Sequence, residues 1–193
     1  MLKSKLSNRR IILASGSPRR QELLKQLDIP FKIYIKPVDE SFPLSLRQHQ
    51  ISDYLAQKKA HEFDGELQNQ DILITSDTIV WLKEKALGKP SSRHDALEML
   101  NEISGQTHEV ITSICLTSVD KQHTDHAVTK VTFKNLSSEE IKYYIDHFNP
   151  MDKAGAYGIQ DWIGQIGITG IQGSYYNVMG FPMDIVYKSL LEF

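Results

Sequence analysis

Ile11-Ile12-Leu13-Ala14-Ser15-Gly16-Ser17-Pro18-Arg19-Arg20-Gln21-Glu22-Leu23-Leu24 decides how this chain begins. Its first four residues form a short apolar run, the pattern of a buried strand. The run breaks at Ser15-Gly16-Ser17-Pro18. Ser17 suits an N-cap and Pro18 the first helical position, and Leu23, Leu24 and Leu27 then share one helical face. The chain thus opens as strand, tight turn and helix. Free N–H groups at a helix N-terminus bind anions, and cations in the first turn oppose the helix dipole. Arg19 and Arg20 stand in that turn, which suits a negative partner such as phosphate. Two solvated surface arginines would give the same pattern. The turn is neither a Walker A loop nor a dinucleotide fingerprint.

Further along, Phe31 to Ile35 reads as a second strand, ending in Pro37-Val38-Asp39-Glu40. A helix is expected from about Leu46 to Phe63. The β-branched run Ile72-Leu73-Ile74-Thr75-Ser76-Asp77-Thr78-Ile79-Val80 marks a central strand. Ser92 starts a helix that ends near Ser104-Gly105. His108 to Ser118 and Thr124 to Phe133 read as a long hairpin. Ser137-Ser138-Glu139-Glu140 is a capping box, and Asn149-Pro150 stops its helix. The glycine- and aromatic-rich tail from Gly155 to Pro182 reads as strands and loops before a short C-terminal helix. This alternation implies an α/β fold with a mixed sheet.

The chain has 193 residues, 40% hydrophobic and 24% charged, with a formal net charge of -2. Such a chain can bury one sizeable core, as a single domain or two joined lobes. It lacks the basic surplus of a nucleic-acid groove, and the balance suits a small anionic ligand better than a polymer. Its single cysteine, Cys115, lies in an apolar run and reads as a core residue, which fits a reducing cytoplasm. No stretch is long enough to span a membrane.

Asp77 is the sharpest chemical signal. A carboxylate inside so apolar a strand needs a partner, a proton or a metal, and near a strand end it suits activating a water or holding Mg²⁺. A carboxylate capping a turn is the competing reading. Glu40, beside Asp39 after a strand, is a candidate second acid for a metal; alone it would pass as an acidic loop. Lys59 and Lys89 are single lysines with surface alternatives, Lys89 being held in Gly88-Lys89-Pro90. The histidines form no zinc pattern, and no serine or cysteine stands in a nucleophile context.

The opening segment resembles the signature of the Maf family almost position for position. The likeness continues in Leu55-Ala56-Gln57-Lys58-Lys59-Ala60, Ser76-Asp77-Thr78-Ile79-Val80 and Leu87-Gly88-Lys89-Pro90. It extends through Ser104-Gly105-Gln106-Thr107-His108, Asp152-Lys153-Ala154-Gly155-Ala156-Tyr157-Gly158-Ile159-Gln160 and Gly173-Ser174-Tyr175-Tyr176-Asn177-Val178-Met179-Gly180-Phe181-Pro182. These blocks occur in order and span nearly the whole chain. The resemblance implies one domain over residues 1–193 with two lobes, a mixed-sheet α/β fold like that of inosine triphosphate pyrophosphatase, and a nucleotide cleft between the lobes. It also implies hydrolysis of a nucleoside triphosphate between the α and β phosphates, with a divalent cation, Mg²⁺ or Mn²⁺. Within it, Asp77 resembles the catalytic acid/base and Glu40 its metal-binding companion. Ser15, Arg20, Lys59 and Lys89 resemble the triphosphate grip. Arg19, Thr78 and Gln160 match the branch acting on dTTP and UTP, whereas the branch acting on 7-methyl-GTP has tryptophan at the place of Arg19. A homodimer is common in the family.

The chain departs from the pattern at Asp161, where glycine is usual, at Phe181 for leucine and at Ser76 for alanine. Asp161 adjoins Gln160 and so bears on base preference. Two other functions stand beside the enzyme. The family's association with arrested cell division suggests a nucleotide-binding regulator without turnover. The tail aromatics Tyr157, Trp162, Tyr175 and Tyr176 suggest a single-strand binder, which the acidic balance opposes.

Overall fold

The computed structural model describes residues 2–193. Its sheet has seven strands in the order β2-β1-β3-β5-β6-β7, with β4 paired to β3. The strands are β1 (Arg10–Leu13), β2 (Phe31–Ile33), β3 (Asp71–Leu82), β4 (Lys85–Leu87), β5 (Thr107–Thr117), β6 (Gln122–Phe133) and β7 (Ile168–Gln172). The chain divides into two compact units.

The first unit comprises the chain up to Asp77, Thr112–Ala127 and Gly180–Phe193. Here β1 pairs in parallel with β2 and with the start of β3, Ile11 facing Phe31 on one side and Ile72 on the other. Covered on both faces, a parallel strand reads as a continuous apolar run, and Ile72, Leu73 and Ile74 are wholly buried. The Arg10 guanidinium clamps the ends of β1 and β3 by donating to both Asp71 oxygens at 2.6 Å. That contact holds the Asp71 carboxyl below the usual carboxylate range.

Helix α2 (Pro18–Lys25) follows β1, with Ser17 as N-cap and Pro18 at its start. Ser17 makes no side-chain cap bond, however, and its N–H donates to Ser15 Oγ at 3.2 Å. Helix α3 (His49–His61) is shorter than expected and lays Ala56 and Ala60 against Ile12, Leu73 and Cys115. Cys115 is a buried core thiol, as its sequence context implies. Helix α1 (Leu2–Lys5), which no sequence signal announced, packs on α8 (Met183–Glu192).

The second unit comprises Thr78–Ile111 and Val128–Met179. Its core joins Val80, Leu87, Leu100, Val131, Phe133, Tyr144 and Ile163. Helix α4 (Arg93–Ile103) is capped by Ser92, which accepts the Asp95 N–H. Helix α5 (Ser138–Phe148) carries the full capping box of Ser137 and Glu140 and ends at Asn149 in the left-handed region. The tail is more helical than its glycines imply. Two 3₁₀ turns lead to α6 (Trp162–Gly167), β7 and α7 (Tyr175–Val178).

His108 and Tyr157 share a buried hydrogen bond at 2.7 Å, and burial pushes the His108 imidazole down to about 4 from 6.5. The unfolded chain therefore binds the extra proton first as pH falls. Above about pH 6.5 this group leaves stability unchanged; between there and pH 4 it removes about 3 kcal/mol. Urea midpoints at pH 7 and pH 4 should show the loss, and His108→Gln should shrink it. An equal acid sensitivity in that variant would show that another group is responsible.

Candidate active site

Asp77 lies at the end of the first unit's share of β3, 7% exposed. Lys59 reaches it from α3, its Nζ 2.5 Å from Asp77 Oδ1 and 3.0 Å from Glu40 Oε1. One ammonium is thus held by two carboxylates. Burial raises the Asp77 pKa, while the charges of Lys59 and Arg20 pull it back down and Glu40 adds to the rise. The net result is a carboxyl more basic than a solvated one, the direction a general base requires.

Arg20 comes from the first turn of α2. Its Nε donates to the Gly180 carbonyl and its Nη1 to the Ser76 carbonyl, each at 2.7 Å. Arg20 therefore fastens the strand residue next to Asp77 to the chain segment that leads into α8. Burial lowers its pKa, against the attraction of Asp77. Ser15 is buried at the turn before α2, where its carbonyl accepts Gln21 Nε2 at 3.0 Å. Arg19 stands beside Arg20, half-exposed.

Lys58 is a participant that sequence reasoning did not assign. It donates to Asp39 Oδ2 at 3.3 Å and to the Ser41 carbonyl at 3.1 Å. Adjacent lysines of α3 thus grip adjacent acids of the 39–41 loop, Lys58 taking Asp39 and Lys59 taking Glu40. The doubled Lys-Lys and Asp-Glu pairs are visible in the sequence, but their pairing across the chain is not.

Asp77, Glu40, Lys59 and Arg20 are therefore brought together in the first unit, with Ser15 and Arg19 at the turn that opens α2. Thr78, Lys89 and Gln160 belong to the second unit. Thr78 follows Asp77 on β3 and is half-buried. Lys89 is exposed after β4, in a loop whose Gly88 carbonyl accepts the Gly155 N–H at 3.0 Å. Gln160 lies in the turn before α6. Its side-chain oxygen is buried with no hydrogen-bond partner among the described residues. An orphaned buried acceptor is costly, and a ligand donor is one way to satisfy it.

Among the described residues no group of three or more His, Cys, Asp or Glu side chains could hold a metal ion. No helix of the described residues is long and apolar enough to cross a membrane.

The family model for Maf-like proteins matches residues 10–193. A protein of Flavobacterium psychrophilum named dTTP/UTP pyrophosphatase is 54% identical over 192 residues, covering 100% of this chain and 98% of that one. One of Flavobacterium johnsoniae with the same name is 53% identical, covering 98% of each. Among solved structures, the Ham1 protein of Staphylococcus aureus aligns with 65% of this chain and 72% of its own at a TM-score of 0.45 and 11% identity. With the signature segments in place and the family match running from β1 to the last residue, the chain belongs to the Maf-like protein family.

Proposed function

We propose that this chain is a nucleoside triphosphate pyrophosphatase that hydrolyses dTTP and UTP to the nucleoside monophosphate and pyrophosphate. The observation that carries the reading is Asp77, buried and ion-paired to a lysine that also holds Glu40. Asp77 lies in the middle of β3 and not near its end as the sequence suggested, and a buried carboxylate perturbed by desolvation and a specific charge partner is a mark of functional sites. The names borne by relatives at 53–54% identity support the same reading.

Asp77 takes a proton from a water molecule as its oxygen bonds to the α-phosphorus. The bond from that phosphorus to the α–β bridging oxygen breaks, and pyrophosphate leaves with the electron pair. Lys59 steadies the Asp77 carboxylate before the transfer and, with Arg20 and Lys89, offsets charge that builds on the phosphate oxygens. Ser15 and Arg19 add donors at the turn that opens α2.

The donor set fits a divalent cation. Two hard carboxylates, Glu40 and Asp77, already converge on one positive charge, and Mg²⁺ is usually held by one or two carboxylates together with substrate phosphates. Bound there, Mg²⁺ or Mn²⁺ would neutralise phosphate charge and polarise the reacting centre.

Gln160 supports the choice of base. The N3–H of uracil or thymine is a donor that the orphaned Oε1 accepts, whereas N3 of cytosine is an acceptor and would repel it. Thr78 is a second polar group for the same task. A cytoplasmic setting agrees with the buried free thiol.

Pyrophosphate release with Mg²⁺ or Mn²⁺ from dTTP, UTP, CTP, GTP and 7-methyl-GTP tests the reading. Turnover of dTTP and UTP that chelation abolishes is expected. Turnover mainly of another base would discard the role of Gln160, and no turnover would leave a nucleotide-binding regulator.

A further inference from the structure

The turn carrying Gln160 is held by residues outside the substrate set. Asp161 is the N-cap residue of α6, yet its carboxylate makes no bond to that helix. It accepts instead from the hydroxyl of Tyr144 on α5, at 2.7 Å. The same hydroxyl accepts the Gly158 N–H at 3.1 Å, and the Asp161 N–H donates to the Gly158 carbonyl at 3.1 Å. Lys153 Nζ lies 3.7 Å from Asp161 Oδ2.

Space is arranged to match. A Cβ on Gly158 would sit 2.6 Å from Asp161 Oδ2 and 2.7 Å from its Cγ, so the carboxylate fills the room glycine leaves. Gln160 stands between these clamped residues, and its carbonyl accepts Gln165 Nε2 at 3.1 Å. Its Oε1 has no hydrogen-bond partner among the described residues.

We propose that Asp161, acting through Tyr144, is a positioning residue for base selection, fixing the Gln160 turn so that the amide is preset for a uracil or thymine edge. The proposal rests on the assignment of Gln160 as the base-reading residue. An amide presents a donor where it presented an acceptor if it turns over. A loosened turn would let Gln160 offer Nε2 to cytosine N3, so discrimination suffers before hydrolysis does. Burial, and next the carboxylate of Asp161, raise the Tyr144 pKa, so the hydroxyl keeps its proton and goes on donating.

The test uses the full chain with Asp161→Ala, Tyr144→Phe and the conservative Asp161→Asn. Calorimetry gives affinities for the α,β-imido analogues of UTP and CTP, and pyrophosphate release gives kcat and KM for UTP and CTP. Asp161→Ala and Tyr144→Phe should each lose about tenfold of the UTP-over-CTP preference, with KM for UTP raised and kcat within about twofold. Asp161→Asn should keep the preference, because its Oδ1 still accepts from Tyr144. The preference is a ratio, so partial unfolding of a variant does not imitate its loss. An unchanged preference in the Ala and Phe variants overturns the proposal, as does an equal loss in Asp161→Asn. If the wild type turns over no nucleotide, hydrolysis fails as a reading while analogue binding still decides the positioning role. Equal binding of both analogues by the wild type overturns that role.

Discussion

Asp77→Asn should lower kcat by about 10³-fold while KM and the melting profile stay close to wild type. The substitution keeps the shape of the side chain but removes its ability to take a proton, together with its negative charge beside Lys59 and toward the cation. Lys59 keeps its 3.0 Å contact with Glu40, so its charge is not stranded. Little stability is at risk, because burial already raises the Asp77 pKa against the pull of its cations. Single-turnover rates with saturating UTP and Mg²⁺ would measure the chemical step directly. Activity within tenfold of wild type would remove Asp77 from the role of general base.

Arg20→Lys should be costly in a different currency. The guanidinium donates in two directions, to the carbonyls of Gly180 and Ser76, and both residues are buried. An ammonium on a flexible stem does not reproduce that fork. At least one buried carbonyl is left unsatisfied, for a loss of about 3 kcal/mol. Because Ser76 adjoins Asp77, kcat/KM should fall as well. Arg19→Lys serves as the comparison and should change stability little. An Arg20→Lys protein with a wild-type urea midpoint would show that the two bonds contribute nothing.

The sequence was most legible where one interaction dominates. The apolar run at Ile72 predicted a central strand because a strand covered on both faces has no room for alternation. Ser137 and Glu140 announced their helix because capping is local chemistry. Asp77 drew notice because an ion in an apolar strand must be answered by something, and Lys59 answers it.

What escaped notice depends on distance in sequence or on packing. The pairing of Lys58 with Asp39 joins residues 19 apart and leaves no trace in either segment. At Lys83-Glu84-Lys85 the turn itself is legible, but the pairing of β3 with β4 across it is not, since Lys83 and Glu84 take positive φ without the Asn-Gly signature of a hairpin. In the tail, glycine suggested loops, yet Gly164 lies inside α6. A Cβ there would meet the Ile159 carbonyl oxygen at 2.1 Å, so glycine serves close packing rather than a turn. Ser17 stands at the N-cap position as read, but its hydroxyl makes no cap bond.

The order in which the segments are written along the chain has a consequence for biosynthesis. The second unit's segments end at Met179, whereas the first unit still awaits Gly180–Phe193. A ribosome therefore delivers every residue of the inserted core before it delivers the carbonyl that Arg20 grips. Nascent chains can bury the second core while the surroundings of Asp77 are unfinished. The centre proposed around Asp77 is then among the last features to mature, because the Gly180 carbonyl that fixes Arg20 is made only after the inserted core is complete.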